Sequence, residues 1–279
     1  MDLRSVAIDP GTLGTREGTT VYWLGNAGAL IDTRGTLLLI DPVITMTEKE
    51  GQPVIETGHR LKVNLPIEAK DLARVDAVLY THADGDHFGR MTAEVLEANL
   101  SPSFYTTTPV KERLVQLGVP SDRISVVSEG DSFTVGQVEV HVTPAMHDWN
   151  DRSPWKREDC CGFLIRTQDG TIWHPGDSRL LDELLEVKGV DVLFFDVAVC
   201  NAHLGPDGSA KLAQTSGASD LIGYHYGTLD VPRGGAFGSE PEDCMDLVAG
   251  LDATMHLLGP GEPLRLEKAG EKAEGKGQM

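Results

Sequence analysis

Ala77-Val78-Leu79-Tyr80-Thr81-His82-Ala83-Asp84-Gly85-Asp86-His87-Phe88-Gly89 is the stretch on which the fold turns. Its first four residues are apolar or aromatic and read as a strand, and Met91–Ala98 beyond Gly89 has the spacing of a helix. Between them, four metal-ligand side chains fall within six residues. At a strand end, His82 and Asp84 are two apart and point the same way, while a turn at Gly85 lets Asp86 and His87 face a second point nearby. That spacing suits two adjacent metal sites. A polar strand-to-helix loop in which one Asp caps the helix would need a single carboxylate; two His and two Asp exceed it.

Three further candidates each follow a strand-like run, as ligands on loops beyond strand ends would. His147 follows Gln137–Val142, Asp177 follows Thr171–Trp173, and His225 follows Leu221–Gly223. Other β-branched segments between Gly, Pro and Asp turns read as strands at Thr20–Leu24, Ala29–Asp32, Thr36–Ile40, Ser103–Thr106, Ser125–Val127, Ser132–Val135, Gly162–Arg166, Val192–Phe195 and Thr254–Leu257. Helical spacing recurs at Pro109–Leu117, Arg179–Val187, Ser209–Ser216 and Glu240–Leu251. Antiparallel strands followed by β-α-β occur once before about residue 140 and again after it, so the expectation is an α/β chain of two similar halves, sheet against sheet with helices outside. Residues 1–18 and 267–279 lack apolar periodicity and read as tails around one domain over 19–266.

The order of these residues resembles the metallo-β-lactamase-fold hydrolases. Their signature, His-x-His-x-Asp-His followed by a lone His, a Gly-Asp and a late His, is similar to His82-x-Asp84-x-Asp86-His87, His147, Gly176-Asp177 and His225. Leu39-Ile40-Asp41-Pro42, Trp173-His174-Pro175-Gly176-Asp177 and Gly223-Tyr224-His225-Tyr226-Gly227-Thr228 look most like the ascorbate-phosphate-lactonase-like branch. The resemblance implies a four-layer αβ/βα sandwich of two mixed sheets with outer helices. It also implies two divalent metal ions, Zn or Mn first and Fe as a further option. His82, Asp84 and His147 would hold one ion and Asp86, His87 and His225 the other, with Asp177 shared. Asp86 and Asp177 then become the catalytic residues of a hydrolase that uses metal-bound hydroxide on a small ester, lactone, amide or phosphodiester.

Asp84 departs from that signature, which has His there. A carboxylate adds charge and favours harder ions, moving preference from Zn²⁺ toward Mn²⁺ or Fe. Di-iron flavoproteins of this fold are similar in carrying Glu at the position, so an oxygen-dependent di-iron oxidoreductase is the second expectation. A degenerate metal-binding module is the third.

Several residues have two readings each. Asp41 resembles the family's buried Asp that orients a ligand loop, or is a turn residue before Pro42. His174 either bonds a ligand or is a satisfied core histidine, and His203, on the rim after Val192–Phe195, either contacts substrate or does not take part. His59 sits in Glu50–Lys62, a lid or a solvated loop; His141 and His256 read as structural or exposed. Trp149 and Trp155 line a pocket or pack in the core, with Arg152 or Arg157 offered to an anionic substrate.

Composition narrows the classes. With 24 Lys and Arg against 43 Asp and Glu the net charge is −19, which repels phosphate backbones and argues against nucleic acid as a partner. The longest apolar run, Val190 to Cys200, is broken by Asp191 and Asp196 and falls short of the ~20 residues of a membrane span. Four cysteines, two of them adjacent, do not make a disulfide framework. With no apolar leader after Met1, the expectation is a cytoplasmic protein acting on a small molecule, without a membrane, and with room for a homo-oligomer. No Gly-x-Ser-x-Gly, Walker-type or Gly-x-Gly-x-x-Gly pattern occurs, and neither Cys160 nor Cys200 has a base at informative spacing.

Overall fold

Short β-branched runs bounded by turn residues fold as strands, and sixteen form in the computed structural model, which describes residues 3–15, 17–148, 154–232 and 238–266. The first half supplies β1 (Thr19–Gly25), β2 (Gly28–Thr33), β3 (Thr36–Ile40), a hairpin of β4 (Met46–Lys49) and β5 (Gln52–Ile55), β6 (Ala77–Leu79), helix α1 (Arg90–Asn99), β7 (Ser103–Thr106), helix α2 (Thr108–Gln116) and β8 (Ile124–Val126). The second supplies β9 (Ser132–Val135), β10 (Val138–Pro144), β11 (Cys161–Arg166), β12 (Thr171–His174), β13 (Val192–Asp196), helix α3 (Gly205–Ser216), β14 (Asp220–Tyr224), helix α4 (Met245–Val248), β15 (Thr254–His256) and β16 (Pro263–Leu266).

Two seven-stranded mixed sheets result, ordered β16-β1-β2-β3-β6-β7-β8 and β15-β14-β13-β12-β11-β10-β9. In each half an antiparallel meander passes into parallel strands, at β3–β6 in the first and β12–β13 in the second. β2, β3, β6 and β13 are buried along their whole length, as strands covered on both faces must be. Trp23, Ile31, Ile40, Val140, Phe163, Trp173 and Phe194 form the core shared by the two halves. Leu30, Leu39, Val78 and Phe104 pack instead with Leu96 of α1 and Val110 and Leu114 of α2. Each such buried side chain contributes about 1.5–3 kcal/mol. α3 lies on β13 and α4 on β15, which completes the layers helix, sheet, sheet, helix.

Some expectations are corrected. Arg179–Val187 is not a helix beyond a 3₁₀ turn at Asp182–Glu186, and the Arg179 N–H donates to the Met146 carbonyl at 2.8 Å. Glu240–Leu251 gives a 3₁₀ turn at Pro241–Cys244 and only four α-helical residues; Met245 and Leu247 face solvent, so no apolar stripe extends the helix. Residues 3–15 are not a free tail. The Val6 and Ile8 N–H groups donate to the Pro260 and Pro66 carbonyls, and Ile8 is buried. β4, β5 and β16 have no counterpart among the expected strands. Among the described residues, no helix is long and apolar enough to cross a membrane.

Candidate metal centre

β6 delivers the chain to Thr81 at a point fixed by Asp41. That residue follows β3 with φ of +43°, which turns its buried carboxylate beneath the neighbouring strand end. Asp41 Oδ1 accepts the Thr81 N–H at 2.8 Å, and Oδ2 accepts both the Thr81 hydroxyl at 2.6 Å and His87 Nδ1–H at 2.8 Å. Because the Thr81 hydroxyl is spent on Asp41, it accepts from His82 Nδ1, 3.0 Å away. Both imidazoles are therefore held as Nδ1–H tautomers with Nε2 turned inward. Asp84 and Asp86 follow on the same loop; Trp155 Nε1–H donates to Asp84 Oδ1 at 2.8 Å, leaving Oδ2 at 3.6 Å from His82 Nε2 and 3.4 Å from His147 Nε2.

The second half contributes single residues from separate loops. His147 follows β10 and donates through Nδ1 to the Ala202 carbonyl at 3.1 Å. Asp177 follows β12 through Gly176, whose φ is +66° and where a Cβ would sit 2.4 Å from the Cys161 carbonyl, so only glycine allows the turn. His225 follows β14 with φ of +64°, a strained conformation of the kind held at functional sites. Its Nδ1–H donates to Asp196 Oδ1 at 3.1 Å, and His203 Nδ1–H donates to Asp196 Oδ2 at 3.0 Å. One buried carboxylate thus aims two imidazoles.

All five Nε2 atoms gather about Asp177. Its Oδ2 lies 3.1 Å from His87, 3.5 Å from His203 and 3.8 Å from His147, and Oδ1 lies 3.6 Å from His225. Ligand atoms of Asp86, His87, Asp177 and His225 fall within 4.8 Å of one another, as do those of His82, His147 and Asp177. Bonds of about 2.0–2.2 Å to a common ion require such spacing. His82 Nε2 and Asp177 Oδ1 are buried with no hydrogen-bond partner, an arrangement that costs stability unless a cation takes up the lone pairs.

The electrostatics point the same way. Burial opposes a charge on His87, yet Asp177, Asp86 and Asp41 outweigh it and hold the imidazole well above its usual range. His203 is likewise driven up to about 12 against burial by Asp177 and Asp196, and His147 is raised against burial by Asp84 and Asp177. Burial would raise the Asp177 and Asp196 carboxyls, but the surrounding histidines hold both well below the carboxylate range. Asp84 is lowered in the same manner by His147 and His82. A field that draws protons onto imidazoles draws a divalent cation more strongly.

All seven sequence-proposed ligands, His82, Asp84, Asp86, His87, His147, Asp177 and His225, thus lie in one cluster, and His203 joins it. Asp41 sits beneath the ligand loop. His174 does not reach the cluster: it donates to the Ala27 carbonyl at 3.0 Å and accepts the Gly176 N–H at 3.2 Å, and burial lowers its pKa to about 4. Arg157 is taken by Glu129 and Glu183, so it is not offered to a substrate. His141 meets Ser132, His256 meets Asp220, and His59 meets Thr57 beyond the β4–β5 hairpin. Trp149 and Arg152 lie outside the described residues. Sequence reasoning missed Asp196 altogether, although it ends a strand much as Asp41 follows one.

The sequence profile described as the beta-lactamase superfamily domain matches residues 36–226. A UPF0173 metal-dependent hydrolase of Pyrobaculum arsenaticum is 27% identical over 254 residues, covering 88% of this chain and 99% of that relative. Among solved structures, the metallo hydrolase Igni18 of Ignicoccus hospitalis superposes with a TM-score of 0.68 at 18% identity, covering 89% of this chain and 98% of that one. CmlA, a diiron beta-hydroxylase of Streptomyces venezuelae, superposes with a TM-score of 0.70 at 18% identity, over 90% of this chain and 55% of that one. At those identities the two structures share the fold.

Proposed function

Since the chain belongs to the beta-lactamase superfamily domain family, we propose that it is a metal-dependent hydrolase with two divalent ions in one centre. The observation that carries this reading is the ring of inward Nε2 atoms around the buried Asp177 carboxylate. His82, Asp84 and His147 would hold one ion, Asp86, His87 and His225 the other, and Asp177 both. Bound metal would supply a water acidic enough to act as hydroxide near neutral pH and a Lewis acid for the substrate oxygen.

The chain's own residues do the rest. Asp41 and Asp196 fix the tautomers of His87 and His225, which keeps Nε2 as an acceptor. Asp86, partly exposed at the mouth, is placed to accept a proton from attacking water through its carboxylate. His203, held by Asp196, presents Nε2 to the same space and is placed to donate a hydrogen bond to the substrate oxygen. The substrate would be a small ester, lactone, amide or phosphodiester. With four cysteines that form no disulfide, the cytoplasm is the proposed compartment.

Asp84 favours a second reading, because a carboxylate between His82 and His147 suits iron. The same centre would then run oxygen-dependent chemistry. Metal analysis of protein purified without added metal, with ester, lactone and phosphodiester turnover measured in air and without oxygen, separates the two. Two ions per chain and oxygen-independent hydrolysis are expected; turnover only in air, by a coloured iron protein, would replace the hydrolase with the oxygenase.

A further inference from the structure

Beyond the Gly85 turn lies a cavity of about 750 Å³ that contains none of the ligand side chains. Gly85 forms part of its wall, and the chain neighbours of Gly85 are Asp84 and Asp86. The ligand loop itself therefore borders the cavity, at the one position of the loop that carries no side chain. Phe88, Met91 and Leu117 supply apolar wall; Glu56, Arg90 and Arg113 supply charge. Arg90 is paired with Glu94 at 2.7 Å. Arg113 is half-buried, donates to the Ala83 carbonyl and lies over the rings of Phe88 and Trp155, 5.7 Å from each centroid. Among the described residues, no carboxylate lies within ion-pair contact of it; Asp84 acts on it from farther off.

We propose that this cavity takes the non-reacting part of the substrate, an apolar chain or ring ending in one carboxylate that Arg113 binds. The inference rests on the hydrolase reading of the metal centre and names its substrate class. A guanidinium with no carboxylate in direct contact, beside apolar wall and in a chain of net charge −19, matches a planar monoanion, which it can bind through two parallel N–H groups. A dianionic phosphate would need a second unpaired cation, whereas Arg90 is already neutralised and Glu56 faces the same space. A wholly neutral substrate would cover the guanidinium and give it nothing in return.

The test is calorimetric titration of the full-length, metal-loaded protein with 4-phenylbutyrate and, separately, 4-phenylbutyramide. Wild type, Arg113→Met and Gln116→Glu are compared, with metal content measured for each. Gln116 lines the cavity three residues after Arg113 on α2, so the second variant places a carboxylate within reach of the Arg113 guanidinium without disturbing the loop that Arg113 touches. Wild type is expected to prefer the acid by about tenfold or more, and either substitution to erase most of that preference at unchanged metal content. Equal preference in all three proteins, or no binding of the acid, overturns the proposal. Turnover separates the two layers of inference. If an ester bearing a distal carboxylate is hydrolysed no faster than its methyl-capped counterpart, or if the advantage survives in both variants, the cavity assignment falls and the hydrolase stands. If no ester is hydrolysed but acid binding still depends on Arg113 and Gln116, the hydrolase falls and the cavity stands.

Discussion

The two halves of the molecule build their shares of the metal centre differently. In the first, His82, Asp84, Asp86 and His87 sit on one loop, and Asp41 fixes one of its imidazoles directly and the other through Thr81. In the second, His147, Asp177, His203 and His225 come from four separated places, and Asp196 fixes two of the imidazoles at once. Local chain geometry makes the first half of the site. In the second, only the packed sheet does, since β12, β13 and β14 must stand side by side before Asp177, Asp196 and His225 can meet.

Asp177 joins the halves: like Asp84 it faces imidazoles from both, and it alone is proposed to hold both ions. Replacing it with Ala removes the link and should give the largest effect. Turnover is expected to fall on the order of 10³-fold, about 4 kcal/mol, with metal content below that of wild type by elemental analysis. Full occupancy at the wild-type rate would mean that each half holds its ion independently.

Asp196→Asn and Asp41→Asn test the asymmetry itself. Both keep volume and remove charge; the first acts directly on His225 and His203, the second directly on His87 and through Thr81 on His82. Loss of a partner that orients a ligand costs about 10–100-fold in metal affinity, so both are expected within that range, with the larger loss in Asp41→Asn, which reaches two of the proposed ligands. Chelator competition measures both. A larger loss in Asp196→Asn would show that His203, too, helps to retain metal.

That asymmetry also explains what could be read in the chain. The contiguous loop was legible because strand and turn geometry alone place His82, Asp84, Asp86 and His87. His147, Asp177 and His225 were legible as residues after strands, but their meeting came from the order of the resemblance. Asp196 was hidden because it ends an apolar run, where an isolated Asp looks like an interruption; its role exists only once Ala198, Ser209, His203 and His225 surround it. The sheets were legible from β-branched runs, whereas Arg179–Val187, read as a helix from its spacing, forms only a 3₁₀ turn at Asp182–Glu186.

Protons and metal compete for the same nitrogens, which gives a pH prediction. His87, His147 and His203 are raised above the ordinary 6.5, so in metal-free protein the stability they add is complete below about 6.5 and is lost as pH rises through the folded values. The lowered carboxyls of Asp41, Asp84, Asp177 and Asp196 add stability above about 3.8 and lose it as pH falls through theirs. His82 and His174 oppose this, since burial lowers both and each subtracts below 6.5. Metal-free protein is therefore most favoured between about 4 and 6.5, and metal uptake above that must expel protons. Apparent affinity should rise about tenfold per pH unit for each proton displaced, read as buffer-dependent heats between pH 6 and 8. Heats independent of buffer would mean that the imidazoles are already neutral.

The smallest effect expected comes from the contact that makes the first half less self-contained than its loop suggests. Trp155 belongs to the second half, yet its N–H holds Oδ1 of Asp84 at 2.8 Å. Trp155→Phe keeps a ring for Arg113 to lie over and removes only that donor. A hydrogen bond to a charged group contributes about 1.5–3 kcal/mol, but the Asp84 side chain is 26% exposed, so water can replace part of it. A net loss of about 1 kcal/mol, roughly fivefold in affinity for the ion beside His82 and His147, is expected. Because Oδ1 would then be free to turn inward, the loss should be smaller for Mn²⁺, which accepts a second carboxylate oxygen more readily than Zn²⁺ does. Competition between the two ions in wild type and Trp155→Phe measures both quantities. A loss as large as that of Asp196→Asn would show that the contiguous loop depends on the opposite half as heavily as the scattered ligands do, and the contrast between the halves would then describe their sequences but not their energetics.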